Sequence, residues 1–279
     1  MGGEGKRSCK SLSPAAGFDL DGSWLRDQGF HLLIKKMVEL GIMPRIVLAR
    51  AEEAYCKWKN REGLFAEFVD SQVRAYQDEG RMRGIRVFDV EFAAHEVVRE
   101  CGKLVHVFTE ALHLATKSVP RQCFIISGSP VELVREFAAS KEVYLCLGTE
   151  HPREGGFYTG GKSHEWVSDK KAGVEYIVEK NDLNLGDMTY IGDSMGDVPV
   201  LRLVSHPICI NPEHRLTVEA AKNGWPVIVE KKDMLHMYRE WGDGRFEKLR
   251  LKDFLPQDLI EPMAQALSGF YPNADFPTS

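Results

Sequence analysis

Three apolar segments of this 279-residue sequence are each followed by polar residues of the types that bind and transfer charged groups. The segments end at Phe18, Ile126 and Ile191, and the polar residues that follow are Asp19 and Asp21, then Ser127 and Gly128, then Asp193 and Asp197. Four carboxylates that converge repel one another, and a divalent cation relieves that repulsion. A site made of oxygen ligands, with room for water, suits Mg²⁺. Magnesium in such a site commonly binds a phosphate-bearing substrate. The residues therefore predict a magnesium site and phosphate chemistry.

A lysine is expected to neutralise part of this negative charge. Lys170 and Lys171 stand side by side in the helical segment KKAGVEYIVEK, which precedes the third acidic segment. The spacing favours Lys170, because Val174 and Ile177 then fall at +4 and +7, where they would bury one helix face below the site. Both lysines stay open as the cationic residue.

The polar residues can meet only if the three segments are strands of one parallel sheet, which gathers its ligands at the carboxyl ends of its strands. From about residue 118 to residue 240, short apolar strands alternate with amphipathic helices. This alternation predicts right-handed crossovers and a doubly wound α/β fold, with helices on both faces of a parallel sheet. The strand that ends at Phe18 joins that sheet if the residues in between form an excursion from it.

Residues 28–117 carry apolar residues at three- and four-residue spacing, which predicts an all-helical domain inserted after the first strand. The helical segments are FHLLIKKMVEL, RIVLARAEEAYCKW, GLFAEFVDSQVRAY and VFDVEFAAHEVVRECGKLVHVFTEALHLA. We therefore expect a flexible tail (1–14), a core domain (15–27 and 118–240), the helical insertion (28–117) and a less regular C-terminal extension (241–279). The extension contains one expected helix, Asp258–Leu267.

The overall composition argues against two classes of partner. With 36 Lys and Arg against 41 Asp and Glu, the net charge of −5 gives little support for nucleic-acid binding, which needs many contacts to phosphates. No apolar run reaches the roughly 18 residues of a membrane-spanning helix, so we expect no membrane partner. The six cysteines are scattered without a CxxC pair, which suits a reducing cytoplasm. The oligomeric state stays open.

Four motifs, in this order, resemble those of the haloacid dehalogenase-like (HAD) phosphohydrolases: FDLDGS, IISGSP, DKKAGVEYI and YIGDSMGDVPVL. Over about residues 15–230 the sequence is most similar to the phosphoserine-phosphatase-like branch, which has a helical cap between the first and second motifs. The resemblance implies a Rossmann-like core, a cap domain over residues 28–117 and Mg²⁺ as cofactor. It also implies hydrolysis of a small phosphorylated metabolite, a phosphomonoester, through an aspartyl-phosphate intermediate.

The resemblance further implies a role for each motif residue. Asp19 would be the nucleophile that attacks phosphorus, and Asp21 would protonate the leaving alcohol and then activate water. Lys170 would stabilise charge on the nucleophile and the phosphoryl group. Ser127 and the N–H of Gly128 would hold phosphoryl oxygens.

The acidic residues of the fourth motif would complete the site. Asp193 would bind Mg²⁺ together with Asp19 and the main-chain carbonyl of Asp21. Asp197 would support the acidic site directly or through water.

Two positions depart from phosphoserine phosphatases. Those enzymes place a Glu nine residues after the nucleophile, where this chain has Gln28, and Gly-Gly after the second-motif serine, where it has Gly128-Ser129. Phosphoserine phosphatase proper therefore stays an alternative, as does a catalytically silent phosphate-binding relative. A P-loop nucleotide triphosphatase is a third, because Gly156–Ser163 matches GxxxxGKS. That motif needs a buried strand before it and a helix after it, and the sequence predicts neither.

Overall fold

The computed structural model describes residues 12–62, 67–68, 70–71, 73–74, 82–161, 164, 169–232, 234–272, 274 and 276–278. Its helices are α1 Gly29–Glu39, α2 Arg45–Lys59, α3 Val87–Cys101, α4 Val107–Lys117, α5 Val131–Ser140, α6 Lys170–Lys180, α7 Val198–Leu201, α8 His214–Asn223 and α9 Gln257–Phe270. Its strands are β1 Ser13–Phe18, β2 Gln122–Pro130, β3 Leu145–Thr149, β4 Arg153–Glu154, β5 Phe157–Tyr158, β6 Leu183–Gly192, β7 His206–Ile210, β8 Val227–Lys231, β9 Met234–Glu240 and β10 Phe246–Lys248. Much of the helix expected over Gly63–Tyr76 and most of the expected tail lie outside the described residues.

A single large sheet forms the centre of the fold. Within the described chain it has eight strands in the order β10-β9-β8-β7-β6-β1-β2-β3. The strands from β8 to β3 in this order run parallel, which confirms the predicted α/β class. The last two strands, β9 and β10, pair antiparallel at one edge and were not predicted from the sequence.

The register of the sheet aligns the three strands that carry the polar motifs. β1 lies between β2 and β6, and Phe18 is paired with Ile125 on one side and with Ile191 on the other. Because all three strands are parallel, the residues that follow them leave the sheet at the same edge. The sheet itself thus brings together segments that are more than a hundred residues apart in the chain.

The two faces of the sheet are covered by different helices. On one face α4, α5 and α9 pack into a hydrophobic cluster with β-strand side chains such as Phe18, Ile125 and Ile191. On the other face α6, α7 and α8 pack against residues such as Phe124 and Tyr190. Side chains from neighbouring positions of one strand therefore point to opposite faces, as the two-residue period of a strand requires.

Helix α4 packs with the sheet, although its sequence belongs to the predicted helical insertion. Its residues Phe108, Ala111 and Leu112 are buried in the same cluster as Phe18. We therefore propose that the cap ends near residue 104 rather than at residue 117. Helix α9 packs against α4 in this cluster, so we also propose that the C-terminal extension is part of the core domain.

The helices of the insertion that precede α4 form a separate hydrophobic cluster. It contains buried side chains of α1, α2 and α3, and also Leu133 of α5 and Tyr158 of β5. The hairpin β4–β5 hydrogen-bonds to the backbone of the insertion, with Tyr158 N donating to Ile85 O at 2.9 Å. Strand β4 in this hairpin is exposed, so the GxxxxGKS pattern lacks the preceding buried strand of a P-loop. Lys162 and Ser163 of that pattern lie outside the described residues.

None of the helices in the described part of the chain is both long enough and apolar enough to cross a membrane.

Candidate active site

Asp19 follows β1 and is the buried centre of the acidic site. The amino group of Lys170 donates to Asp19 Oδ1 and to Asp197 Oδ1, at 2.7 Å in each case. All three side chains are at most 4% exposed. The hydroxyl of Ser23 donates to the other oxygen of Asp19 at 2.8 Å. The buried amino group of Lys170 thus joins Asp19, which follows β1, to Asp197, which follows β6.

Lys170 takes this position because it is the first residue of α6. The side chain of Asp169 caps that helix by accepting from Ala172 N at 2.9 Å. Val174 and Ile177 are buried against the sheet, as their spacing predicted. Lys171 points elsewhere, with about half of its side chain exposed and its amino group 3.7 Å from Glu175. Of the two candidates, the structure therefore places Lys170 in the site.

Asp197 is fully buried and saturated with hydrogen bonds. Its Oδ1 also accepts from Tyr190 OH at 2.9 Å, and its Oδ2 accepts from the backbone N–H and the hydroxyl of Ser194. A Cβ on Gly192 would lie 2.4 Å from the Asp197 carboxyl carbon, so only glycine lets this side chain fold back under the strand. Asp197 is thereby suited to holding Lys170 in place.

Asp193 lies beside Asp19, and among the described residues its carboxylate has one side-chain hydrogen-bond partner. The hydroxyl of Ser23 is 3.4 Å from Asp193 Oδ1. Gly22, with φ of +80°, passes so close that a Cβ there would be 2.2 Å from Asp193 Oδ2. One carboxylate oxygen from each of Asp19, Asp193 and Asp197 lies within 4.8 Å of the other two. This close set of oxygens fits a small hard cation.

The electrostatics of the site favour a bound cation. Burial raises the pKa of Asp19 to about 7, although the neighbouring Lys170 works in the opposite direction. Burial and the charge of Asp19 together raise the pKa of Asp193 well above its ordinary value. For Lys170, burial alone would lower the pKa, but Asp19 and Asp197 more than offset it and the net shift is upward. The lysine is therefore charged, and a second positive charge would stabilise the ionised carboxylates.

Asp21 faces the start of α1 and the second motif. Its Oδ2 accepts from the hydroxyls of Ser127 at 2.8 Å and Ser129 at 2.7 Å. Its Oδ1 accepts from the backbone N–H of Gly29, the first residue of α1, at 2.6 Å. The side chain thus joins the second motif to the first residue of α1.

The second motif forms the last residues of β2, where the pairing with β3 is irregular between Ile126 and Pro130. Ser127 Oγ accepts from Ser129 N at 3.0 Å, and Thr149 at the end of β3 donates its hydroxyl to Gly128 O at 2.7 Å. The carbonyl of Gly128 is therefore held by a side chain of the neighbouring strand β3. Ser127 is brought next to Asp21, as the sequence predicted for the two motifs.

Four residues contribute hydrogen bonds that the sequence analysis did not assign. They are Ser23, Ser129, Tyr190 and Ser194. Ser129 stands where the resemblance leads one to expect glycine, and this departure was the one available signal. The partners of the other three depend on tertiary packing, which local sequence does not encode.

A sequence model described as haloacid dehalogenase-like hydrolase matches residues 16–202. The chain belongs to this family. The match spans all four motifs, and the site described above therefore lies within the part of the chain that the family shares.

Individual relatives are more distant. A phosphoserine phosphatase of Mycobacterium tuberculosis is 32% identical over 109 residues, which is 38% of this chain and 35% of that protein. The chain thus aligns with about a third of the length of that relative. A histidinol-phosphatase of Neisseria meningitidis is 22% identical over 223 residues, covering 76% of this chain and 96% of the relative.

The fold is also found in solved structures. A protein described as of unknown function from Bordetella pertussis superposes with a TM-score of 0.62 and 19% sequence identity. The superposition covers 78% of this chain and 98% of the other. It supports the architecture.

Proposed function

We propose that the protein is a Mg²⁺-dependent phosphatase that hydrolyses a small phosphomonoester through a phosphoryl group carried on Asp19. The observation that supports this most directly is the position of Lys170, whose amino group lies 2.7 Å from both Asp19 and Asp197. A buried lysine between two carboxylates orients Asp19 and offsets the charge that builds up beside it. The P-loop alternative is not supported, because strand β4 is exposed.

In the first step a carboxylate oxygen of Asp19 attacks phosphorus, and the bond from phosphorus to the leaving oxygen breaks. Asp21 donates a proton to that leaving oxygen. In the second step Asp21 takes a proton from water, the water oxygen attacks phosphorus, and the bond to Asp19 breaks to release phosphate. Lys170 stays beside Asp19 throughout and stabilises the negative charge that develops there.

The phosphoryl group would be held by the second motif. The hydroxyl of Ser127 lies beside Asp21, and we propose that it turns to a phosphoryl oxygen together with the N–H of Gly128. Ser129 keeps a hydrogen bond to Asp21 in that case, so the acid–base residue stays oriented.

Asp19, Asp193 and the main-chain carbonyl of Asp21 would hold Mg²⁺. Bound there, the ion would supply positive charge beside the phosphoryl oxygens. Asp197 already accepts hydrogen bonds at both oxygens, so we assign it to positioning Lys170.

The substrate is proposed to be a small phosphorylated metabolite in the cytoplasm. The described cysteines are all free, which agrees with a reducing compartment. Gln28 is 8% exposed at the start of α1 and carries no charge, so that position offers a substrate amine no ion pair. Phosphoserine and histidinol phosphate, suggested by the names of the two relatives, are the first compounds to test.

The experiment is a phosphate-release assay on a panel of small phosphate esters, with Mg²⁺ and with a chelator. We expect release that requires Mg²⁺ and that falls by at least about 1,000-fold in Asp19→Asn. Asp182→Asn, a change away from the site, is the matched control and should keep full activity. Wild-type protein that releases no phosphate from any ester would instead favour the catalytically silent relative.

A further inference from the structure

The cap is joined to the core by two linkers that pair with each other. Residues 24–28 lead out and residues 102–106 return, and an antiparallel bridge joins Leu25 to Val105. Arg26 N donates to Leu104 O at 2.9 Å, and His106 N donates to Trp24 O at 2.8 Å. We call these two segments the linker pair.

One buried carboxylate of the core binds both members of the linker pair. Glu230 lies in β8, and its side chain is 1% exposed. Its Oε1 is 2.9 Å from Arg26 Nη2, and its Oε2 accepts from the backbone N–H of Phe108 at 2.8 Å. His106 Nδ1 lies 3.5 Å from the same carboxylate. The outgoing linker at Arg26, the returning linker at His106 and the first turn of α4 at Phe108 therefore all contact one side chain.

A neighbouring residue fixes Glu230 in turn. Asn211, at the end of β7, accepts from Glu230 N at 2.9 Å, and its amide nitrogen is 3.3 Å from His106 Nδ1. Asn211 has φ of +40°, a left-handed conformation that asparagine tolerates better than most residues. Burial would raise the pKa of Glu230, but hydrogen bonds from His106 and from the amides of Phe108 and Val107 hold it below its ordinary value. The carboxylate is thus ionised and well supplied with donors.

We propose that Glu230 is a positioning residue that fixes the pivot of the cap. With the outgoing linker attached at Arg26 and the start of α4, just after the returning linker, attached at Phe108, rotation of the cap is confined to residues 27–28 and 102–104. Residue 28 directly precedes Gly29, whose N–H binds Asp21 at 2.6 Å. The pivot therefore determines where the cap meets the acid–base residue. Only the kinetic part of this inference rests on the proposed phosphatase activity.

The test compares Glu230→Gln with Asp258→Asn. Asp258, whose side chain is 42% exposed, binds the buried Arg121 through two hydrogen bonds, so the control loses a charged contact away from the linker pair. In Glu230→Gln we expect hydrogen exchange of the Arg26 and His106 amides to accelerate by about ten-fold, since a charge-assisted hydrogen bond is lost. Exchange at these amides should stay unchanged in Asp258→Asn. Equal acceleration in both variants, or none in Glu230→Gln, would overturn the proposal.

Kinetics separate a positioning role from a merely structural one. An alkyl phosphate needs a proton from Asp21 for its leaving oxygen, whereas p-nitrophenyl phosphate has a good leaving group and needs it less. Glu230→Gln should therefore lower kcat more for the alkyl ester, and Asp258→Asn should leave the ratio of the two kcat values unchanged. An unchanged ratio in Glu230→Gln contradicts the proposal.

The two measurements distinguish failure of the proposed function from failure of the proposed role of Glu230. If wild-type protein shows no phosphatase activity, the proposed function fails while the exchange measurement still decides the role of Glu230. If Glu230→Gln does not fold, Arg26→Gln replaces it, because the Arg26 side chain is 43% exposed. Faster exchange at the His106 amide in that variant supports the proposal, and unchanged exchange overturns it.

Discussion

Replacement of Lys170 by methionine should destabilise the protein far more than the same replacement of Lys171. Lys170 is 4% exposed and joins Asp19 to Asp197, whereas Lys171 is about half exposed and only approaches Glu175. Loss of one partner from a buried ion pair costs about 3–5 kcal/mol, and a surface pair contributes about 0–1 kcal/mol. Protonation of the carboxyls left behind limits the loss, so we expect about 3 kcal/mol for Lys170→Met at pH 8. The chain thus supplies a matched pair of adjacent lysines.

The pH dependence of this loss has a definite sign. The pKa of Asp19 is about 7 in the folded protein, above its ordinary value of 3.8, so ionising Asp19 costs folding free energy. Such a group is stabilising below its unfolded pKa, and this contribution is lost as the pH rises through about 7. Without Lys170 the pKa of Asp19 rises further, because a cationic neighbour is gone. The deficit of Lys170→Met should therefore grow from pH 6 to pH 8.

Urea unfolding in a chelating buffer measures the effect. At pH 8 the midpoint of Lys170→Met should fall by about 1 M or more relative to wild type, given a slope of roughly 1–3 kcal/mol per molar urea. Lys171→Met should stay within about 0.5 kcal/mol of wild type. Equal losses in the two variants, or a deficit that grows towards acid pH, would refute the assignment of Lys170 as the buried cation of the site.

Two further predictions concern backbone space and a buried histidine. Gly22→Ala should raise the Mg²⁺ concentration needed for half-maximal activity by about ten-fold or more, because its Cβ would lie 2.2 Å from Asp193 Oδ2. The control Gly41→Ala has a similar positive φ and nothing within 4 Å, so it should share only the conformational cost of the backbone. Equal magnesium titrations of the two variants would contradict this prediction. Burial lowers the pKa of His113 from 6.5 to about 4. Between these pH values the folded protein therefore binds fewer protons than the unfolded chain. The free energy of unfolding should fall by about 3 kcal/mol because of His113 as the pH drops from 7 to 4. Unfolding titrations should show a shallower acid loss in His113→Gln than in the exposed-site control His236→Gln, and equal slopes would count against it.

The strand ends that carry the chemistry were predictable from sequence. In an alternating strand–helix pattern, an apolar run followed by Asp, Ser and Gly marks the carboxyl end of a buried strand. The parallel arrangement of β1, β2 and β6 then follows from chain connectivity. This reasoning placed Asp19, Ser127 and Asp193 at one edge of the sheet, and their loops lie together in the structure.

The assignment of α4 to the core was not predictable in the same way. An amphipathic helix shows the same period whether its apolar face packs on a sheet or on other helices. Phe108 and Leu112 contact the sheet because Gly102 ends α3 and the returning linker turns the chain there, which local periodicity does not report. The antiparallel strands β9 and β10 were missed because their residues are mostly half-exposed or exposed and show little alternation.

The hydrogen bonds that hold the carboxylates of the site could not be predicted from the sequence either. Tyr190 is an ordinary aromatic residue of a buried strand until its hydroxyl is seen 2.9 Å from Asp197. Ser23 and Ser194 are common turn residues, and only the fold shows that they donate to carboxylates of the site. The motif residues can be recognised in the sequence from their chemistry, whereas their hydrogen-bond partners are determined by tertiary packing.

The central claim is that Asp19 carries the phosphoryl group, and chemical trapping tests it most directly. Protein quenched during turnover with Mg²⁺ and a hydrolysed ester is treated with borohydride, which reduces an acyl phosphate to an alcohol, and the peptides are sequenced by mass spectrometry. We expect homoserine at position 19 only when substrate is present, and none at Asp21 or Asp193. Phosphate release at full rate with unmodified Asp19 in every sample would contradict the account.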